Sequence, residues 1–178
     1  MRAKDKFLLD LIKQNNCKVG AEVGVYKGGG ISYQALTTSI VTKWFSIDSW
    51  KHWEKDPAKR SNKEQSVFDQ MYLDVLEKFK PFGDRSVIYR LTSEEASKLI
   101  EDNSLDFIFI DANHAYSFVK QDLNLWWPKL KLGGIFSGHD FNKNKHGVIK
   151  AVTEFFKLKN LQFSSSKAVG NVWWHNKD

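Results

Sequence analysis

A chain of 178 residues, 42% of them hydrophobic, holds enough apolar material for one sizeable core and is short for two. Its formal net charge of +6 favours an acidic partner, yet the lysines are scattered in ones and twos, so nucleic acid is permitted without being demanded. Cys17 is the only cysteine, which excludes an intrachain disulfide and a cysteine-built zinc cage and fits a reducing, cytoplasmic setting.

The first segment, MRAKDKFLLDLIKQNNCK (1–18), has charges interrupting its apolar positions and no small-residue cleavage site. It reads as a helix rather than a secretion signal, and no later run is long and apolar enough to predict a membrane span. Apolar β-rich runs then alternate with stretches of helical period, the pattern of parallel strands joined by crossover helices. Strands are expected at 21–26, 43–48, 86–91, 106–111 and 133–138, and helices at 30–39, 62–80, 93–102, 116–130 and 146–158. Residues 50–62 form a polar insertion without a clear period, placed where a lid over a strand end would lie. Pro81 and Gly83 stop one crossover helix and KLGG (131–134) another, while Thr92 or Ser93 followed by Glu95 has the form of an N-cap with an acidic first turn. Two final strands, 161–166 and 171–176, are separated only by KAVG and predict an antiparallel hairpin. The paired tryptophans of LWWPKL and VWWHN read as core or subunit packing and favour a homodimer. The expected organisation is one domain over 1–178, an N-terminal helix at 1–18 and an α/β core over 19–176.

An open parallel α/β sheet binds its ligands beyond the carboxyl ends of the strands, near the point where strand order reverses. Polar residues recur at those ends. The first strand leads into EVGVYKGGG, whose spacing fits neither phosphate loop: Tyr26 occupies the middle glycine of a dinucleotide fingerprint, and no Lys-Ser/Thr pair follows Gly29. What remains is Glu22, Gly24 and Gly28, with Asp48 ending the second strand, a set suited to an adenosine ligand without a pyrophosphate. Thr92 and Ser93 follow the third strand, and His139 and Asp140 the fifth. The fourth strand, in LDFIFIDANHAYSFVKQDL (105–123), is apolar and then turns abruptly polar through Asp111, Asn113, His114 and Tyr116.

AEVGVYKGGG, FSIDSW, LDFIFIDANHAYSFVKQDLNLWWPKLKLGGIFSGHDF and GVIKAVTEFF together resemble class I S-adenosylmethionine-dependent methyltransferases. Within that class the chain is similar to a small bacterial branch laid out like catechol O-methyltransferases and metal-dependent sugar O-methyltransferases, over roughly 19–175. The resemblance implies a Rossmann-like three-layer sandwich with seven strands in the order 3-2-1-4-5-7-6, the seventh antiparallel. It also implies that Glu22, Gly24 and Gly28 line the methionine part of S-adenosylmethionine, that Asp48 binds ribose, that Thr92 or Ser93 lies beside adenine and that Trp50 covers the adenine face.

Methyl transfer from a sulfonium is an in-line displacement, so a hydroxyl acceptor must be aligned and deprotonated. Asp111 and Asp140 end adjacent strands and offer hard oxygen ligands, with His139 able to complete a set for a divalent metal, magnesium or manganese. The catechol-type enzymes carry Asp-Asn where this chain has His139 and Asp140, and an imidazole ligand leans toward manganese, iron or zinc. His114 stands where those enzymes place a lysine base, and an imidazole near its unperturbed pKa would serve there. The expected activity is therefore O-methylation of a small-molecule or glycan-type acceptor, with loops 50–62 and 141–147 shaping its pocket. The rival readings are a nicotinamide-dependent oxidoreductase and a non-catalytic module binding adenosine ligands or nucleic acid.

Overall fold

The computed structural model describes residues 1–53 and 63–178. An N-terminal helix α1 (Ala3–Gln14) leads into β1 (Val19–Val23), α2 (Ile31–Leu36), β2 (Lys43–Asp48), α3 (Gln65–Phe79), β3 (Ser86–Arg90) and α4 (Ser93–Ser97). β4 (Leu105–Ile110), α5 (Tyr116–Trp126), β5 (Leu130–Gly138), α6 (His146–Leu158), β6 (Ser164–Ser166) and β7 (Val172–Asn176) follow. The seven strands form one sheet in the order β3-β2-β1-β4-β5-β7-β6, with β7 antiparallel to both neighbours. Strand order reverses between β1 and β4, and their ends define the switch point.

Two apolar layers bury the sheet faces. On one face α1, α2 and α3 press Leu8, Ile12, Leu36 and Val75 onto Trp44, Phe107 and Phe109. On the other, α4, α5 and α6 press Ala96, Val119, Leu123, Trp126 and Val152 onto Ala21, Ile108 and Phe136. β4 explains itself in these terms: Phe107, Ile108, Phe109 and Ile110 are all buried, as a strand covered on both faces must be.

Boundaries shift for local reasons. β1 ends at Val23 instead of residue 26, because Gly24 (φ +101°) and Tyr26 (φ +53°) turn the chain out of the extended region. Helix α5 stops at Trp126, since Pro128 opens a 3-10 turn over 127–129 and Leu130 already pairs with Leu105 in β5. KLGG therefore lies inside β5 rather than ending a helix. Helix α4 is one turn and a half, shorter than the expected 93–102. Of the 50–62 insertion, residues 54–62 lie outside the described residues. Among the described residues no helix is long and apolar enough to cross a membrane.

Candidate active site

The loops leaving β1, β2, β4 and β5 meet at the carboxyl edge of the sheet. Glu22 is buried near the end of β1, where its Oε2 accepts a 2.9 Å hydrogen bond from Ser32 N–H at the start of α2. Burial pushes its carboxyl up to about 7 against the opposing pull of Ser32. Gly24 follows, and a side chain there is impossible: an added Cβ would lie 2.3 Å from the Asp111 carbonyl oxygen. This glycine lets the β1 and β4 ends touch. Gly28 (φ +62°) instead packs toward α3, where a Cβ would meet Val75 and Phe79.

Asp48 joins the first two loops. Its Oδ2 accepts from Tyr26 N–H at 2.8 Å and its Oδ1 from Trp50 N–H at 2.9 Å. Burial raises its pKa, while the backbone N–H groups of Trp50 and Tyr26 pull the other way. Trp50 (φ +41°) is fully buried, donates through Nε1 to the Tyr26 carbonyl at 2.7 Å and packs on Tyr72. Its ring has no exposed face to lay over an adenine. The expected stacking surface is thus a packing residue that braces the Asp48 loop.

Thr92 and Ser93 both bond at the start of α4. Thr92 caps α4 in a reciprocal box with Glu95, accepting from Glu95 N–H at 3.2 Å while Glu95 Oε2 accepts from Thr92 N–H at 2.9 Å. Ser93 Oγ accepts from Trp126 Nε1 at 2.8 Å and donates to Asp122 Oδ1 at 2.5 Å, tying α4 to α5. Burial pushes the Asp122 carboxyl up to about 7.

The polar group after β4 meets the loop after β5. Asp111 Oδ1 lies 3.1 Å from His139 Nδ1 and 3.7 Å from His114 Nε2. Asp111, His139 and Asp140 each offer a ligand atom, all within 4.8 Å of one another. Two carboxylates and an imidazole at this spacing suit a divalent cation. Burial alone would raise Asp111, but the His114 and His139 rings and the Lys4 ammonium outweigh it and hold the carboxyl below the usual range. Asp140 takes up φ +59°, and the neighbouring His114 keeps it ionised.

His114 departs from expectation. Its Nε2 lies 2.8 Å from Asp140 Oδ2, off the line of a hydrogen bond, and Lys145 Nζ stands 3.0 Å from its Nδ1. The Asp111 and Asp140 carboxylates push the imidazole up to about 9, outweighing the ammonium. The carboxylates favour the charged ring while the Lys145 contact at Nδ1 suits the neutral one, so the ring is not the unperturbed imidazole expected from the sequence. Asn113 Oδ1 accepts from Ala115 N–H at 2.9 Å to start α5, and Tyr116 O–H donates to Glu154 on α6, so both support the loop that carries His114.

Two site residues had no signal in the sequence. Lys4 reaches Asp111 Oδ2 at 2.7 Å from 107 positions away, and Lys145 comes from the loop after β5. Asp122 did carry one: with Val119, Leu123 and Trp126 it shares the i, i+3, i+4, i+7 stripe that α5 turns to the core.

A family model described as "Methyltransferase domain" matches residues 21–141. No curated protein matches the sequence. Among solved structures, the O-methyltransferase from Bacillus cereus in complex with SAH is similar with a TM-score of 0.69, at 13% identity over 99% of this chain and 82% of that one. The O-methyltransferase TomG from Streptomyces achromogenes, in complex with SAM, gives 0.64 at 10% identity, covering 98% and 79%. Spermidine synthase from Thermotoga maritima gives 0.63 at 16% identity, covering 98% of this chain and 59% of that one. At such identities the likeness establishes the fold, while the family match spans two thirds of the chain and takes in Glu22, Asp48, Asp111 and Asp140. The chain belongs to the methyltransferase-domain family and has the fold of class I S-adenosylmethionine-dependent methyltransferases.

Proposed function

We propose that this chain is a cytoplasmic S-adenosylmethionine-dependent O-methyltransferase for a small-molecule or glycan-type acceptor. One observation carries the reading. The acids Glu22, Asp48 and Asp111 end the three strands around the switch point, and Asp111 faces His139 and Asp140 across the next strand end. An adenosine ligand needs the first two, and an acceptor hydroxyl needs the last three. The sequence carries no nicotinamide fingerprint to compete with that division.

In this reading Glu22, held by Ser32, faces the methionine ammonium, and Asp48 retains lone pairs for ribose hydroxyls after binding Tyr26 and Trp50 N–H. Asp111, His139 and Asp140 would hold a divalent ion, whose chemistry is Lewis-acid polarisation of the acceptor oxygen. His114 Nε2, beside Asp111 and Asp140, would take the acceptor proton from the neutral form of its ring, with Lys145 at Nδ1. The acceptor oxygen then attacks the methyl carbon as the carbon–sulfur bond breaks, and the electron pair remains on sulfur. Ser93, Thr92 and Trp50 shape the adenine side indirectly, through the helix cap and loop braces they form.

Titration calorimetry on the purified protein tests the reading. Binding of S-adenosylmethionine or its demethylated product, S-adenosylhomocysteine, is expected, and no heat with either would end it. The loss of methyl transfer on chelation tests the cation part separately.

A further inference from the structure

The carboxylates at the strand ends are already countered by the chain's own ammonium groups. Lys4, in the first turn of α1, is only 9% exposed along its side chain and puts Nζ 2.7 Å from Asp111 Oδ2. Its ammonium also lies 5.2 Å from the Phe109 ring centroid, and its stem is covered by the β6–β7 turn, where a Cβ built on Gly170 would come within 3.2 Å of the Lys4 Cβ. On the other carboxylate, Lys145 Nζ lies 3.7 Å from Asp140 Oδ2. The two lysines differ in freedom. Lys145 is 37% exposed and can swing into solvent, whereas the Lys4 stem is enclosed and keeps its charge at the site.

We propose that Lys4 is a tethered counter-ion to the Asp111, His139 and Asp140 set, and that it limits how tightly the set holds a divalent cation. The proposal rests on the cation reading of that set. One oxygen of Asp111 is committed to the ammonium, and a fixed positive charge this close in a partly desolvated site opposes the arrival of two more. A buried lysine unpaired from its carboxylate is costly, so Lys4 does not step aside freely. α1, far from the glycine loop in sequence, is by this account part of the site.

Manganese binding, followed by the electron paramagnetic resonance signal of the free ion, tests this on the intact protein. Lys4→Met, which keeps the stem and removes the charge, is expected to bind Mn2+ roughly tenfold more tightly than wild type or better, while Lys4→Arg stays near wild type. Asp111→Asn added to Lys4→Met removes the gain. Lys4→Gln serves in its place should Lys4→Met fail to give a cooperative thermal melt. Equal affinity in wild type and the uncharged variants, weaker binding in the variants, or no binding in any of them overturns the proposal. S-adenosylhomocysteine calorimetry on the same proteins keeps the two readings apart. Its failure throughout counts against the methyltransferase assignment and leaves the Mn2+ comparison standing.

Discussion

Asp122 gives the sharpest test of the electrostatics argued above. It is 4% exposed, its only described hydrogen bond comes from Ser93 O–H, and burial pushes its carboxyl up to about 7. An unfolded aspartate titrates near 3.9, so between those values the native state holds a proton that the unfolded state has released. Stability must therefore fall as pH rises through that window. Between pH 5.5 and 8 the proton linkage of this one group amounts to about 2 kcal/mol, from roughly 1.5 pH units below the native pKa at 1.36 kcal/mol each. Glu22, also pushed up to about 7, and His114, pushed up to about 9, slope in the same direction but are common to wild type and variant. Asp122→Asn keeps an acceptor for Ser93 and removes the titration. Urea denaturation at pH 5.5 and pH 8 should then show wild type losing about 2 kcal/mol more than Asp122→Asn over the interval, or a difference of about 4–8 °C in thermal midpoint shift. Any constant cost of the buried amide cancels in the comparison. Identical pH dependence in the two proteins, or a wild type that gains stability toward pH 8 relative to Asp122→Asn, refutes the assignment of a buried, protonated Asp122.

Two other perturbations probe the loops. Gly147 lies in the first turn of α6, and a Cβ there would sit 2.6 Å from the His114 carbonyl oxygen and 2.8 Å from Tyr116 N. Gly147→Ala should cost about 1–3 kcal/mol in denaturant titration and displace the His114 loop, lowering methyl transfer more than S-adenosylhomocysteine affinity. Asp48→Asn replaces an acceptor of two backbone N–H groups with a side chain that can accept only through one oxygen, so Tyr26 or Trp50 N–H loses its partner. A loss of about 1–3 kcal/mol and at least roughly tenfold weaker S-adenosylhomocysteine binding by calorimetry are expected, and unchanged affinity would place the ribose elsewhere.

The sheet was legible because its signal is redundant. Each strand of the core is an apolar run set off by turn residues, and the sandwich buries both faces, so period and flanks agree along the chain. Strand order was available from the methyltransferase resemblance, not from the periodicity. At the site, Asp111, His139 and Asp140 were visible as polar residues at the ends of buried strands, and the structure brings them together. The buried ring of Trp50 and the inward hydroxyl of Ser93 had no signal for a shared reason: proximity to a strand end does not say which way a side chain turns. Trp50 turns inward because Asp48 grips its N–H, and Ser93 turns toward α5 because a buried carboxyl and an indole N–H both require a partner. The pKa of His114 was misjudged because it depends on two carboxylates converging from different strands.

Backbone strain marks the same edge independently. Among the described residues seven non-glycine positions have positive φ, and Asn16, Asn103, Asn160 and Asn171 lie at helix ends or ahead of strands, where asparagine tolerates the left-handed region. Tyr26, Trp50 and Asp140 have no such excuse of position, and they follow β1, β2 and β5 at the carboxyl edge. Each is held by a partner from a neighbouring loop: Tyr26 N–H by Asp48, Trp50 Nε1 by the Tyr26 carbonyl, and the Asp140 carboxylate beside His114. Strain of this kind costs of order 1–3 kcal/mol per residue and persists only where surrounding contacts over-determine it. The strained turns after β1 and β2 fix the loops around Asp48, and the one after β5 sets Asp140 beside Asp111. Lys4 closes the arrangement from the N-terminal helix, so the acids are fixed in direction and countered in charge before any ligand arrives. Such preorganisation would let the proposed site meet its cofactor with little rearrangement of the strand ends, leaving the part-exposed Lys145 side chain as the group free to move.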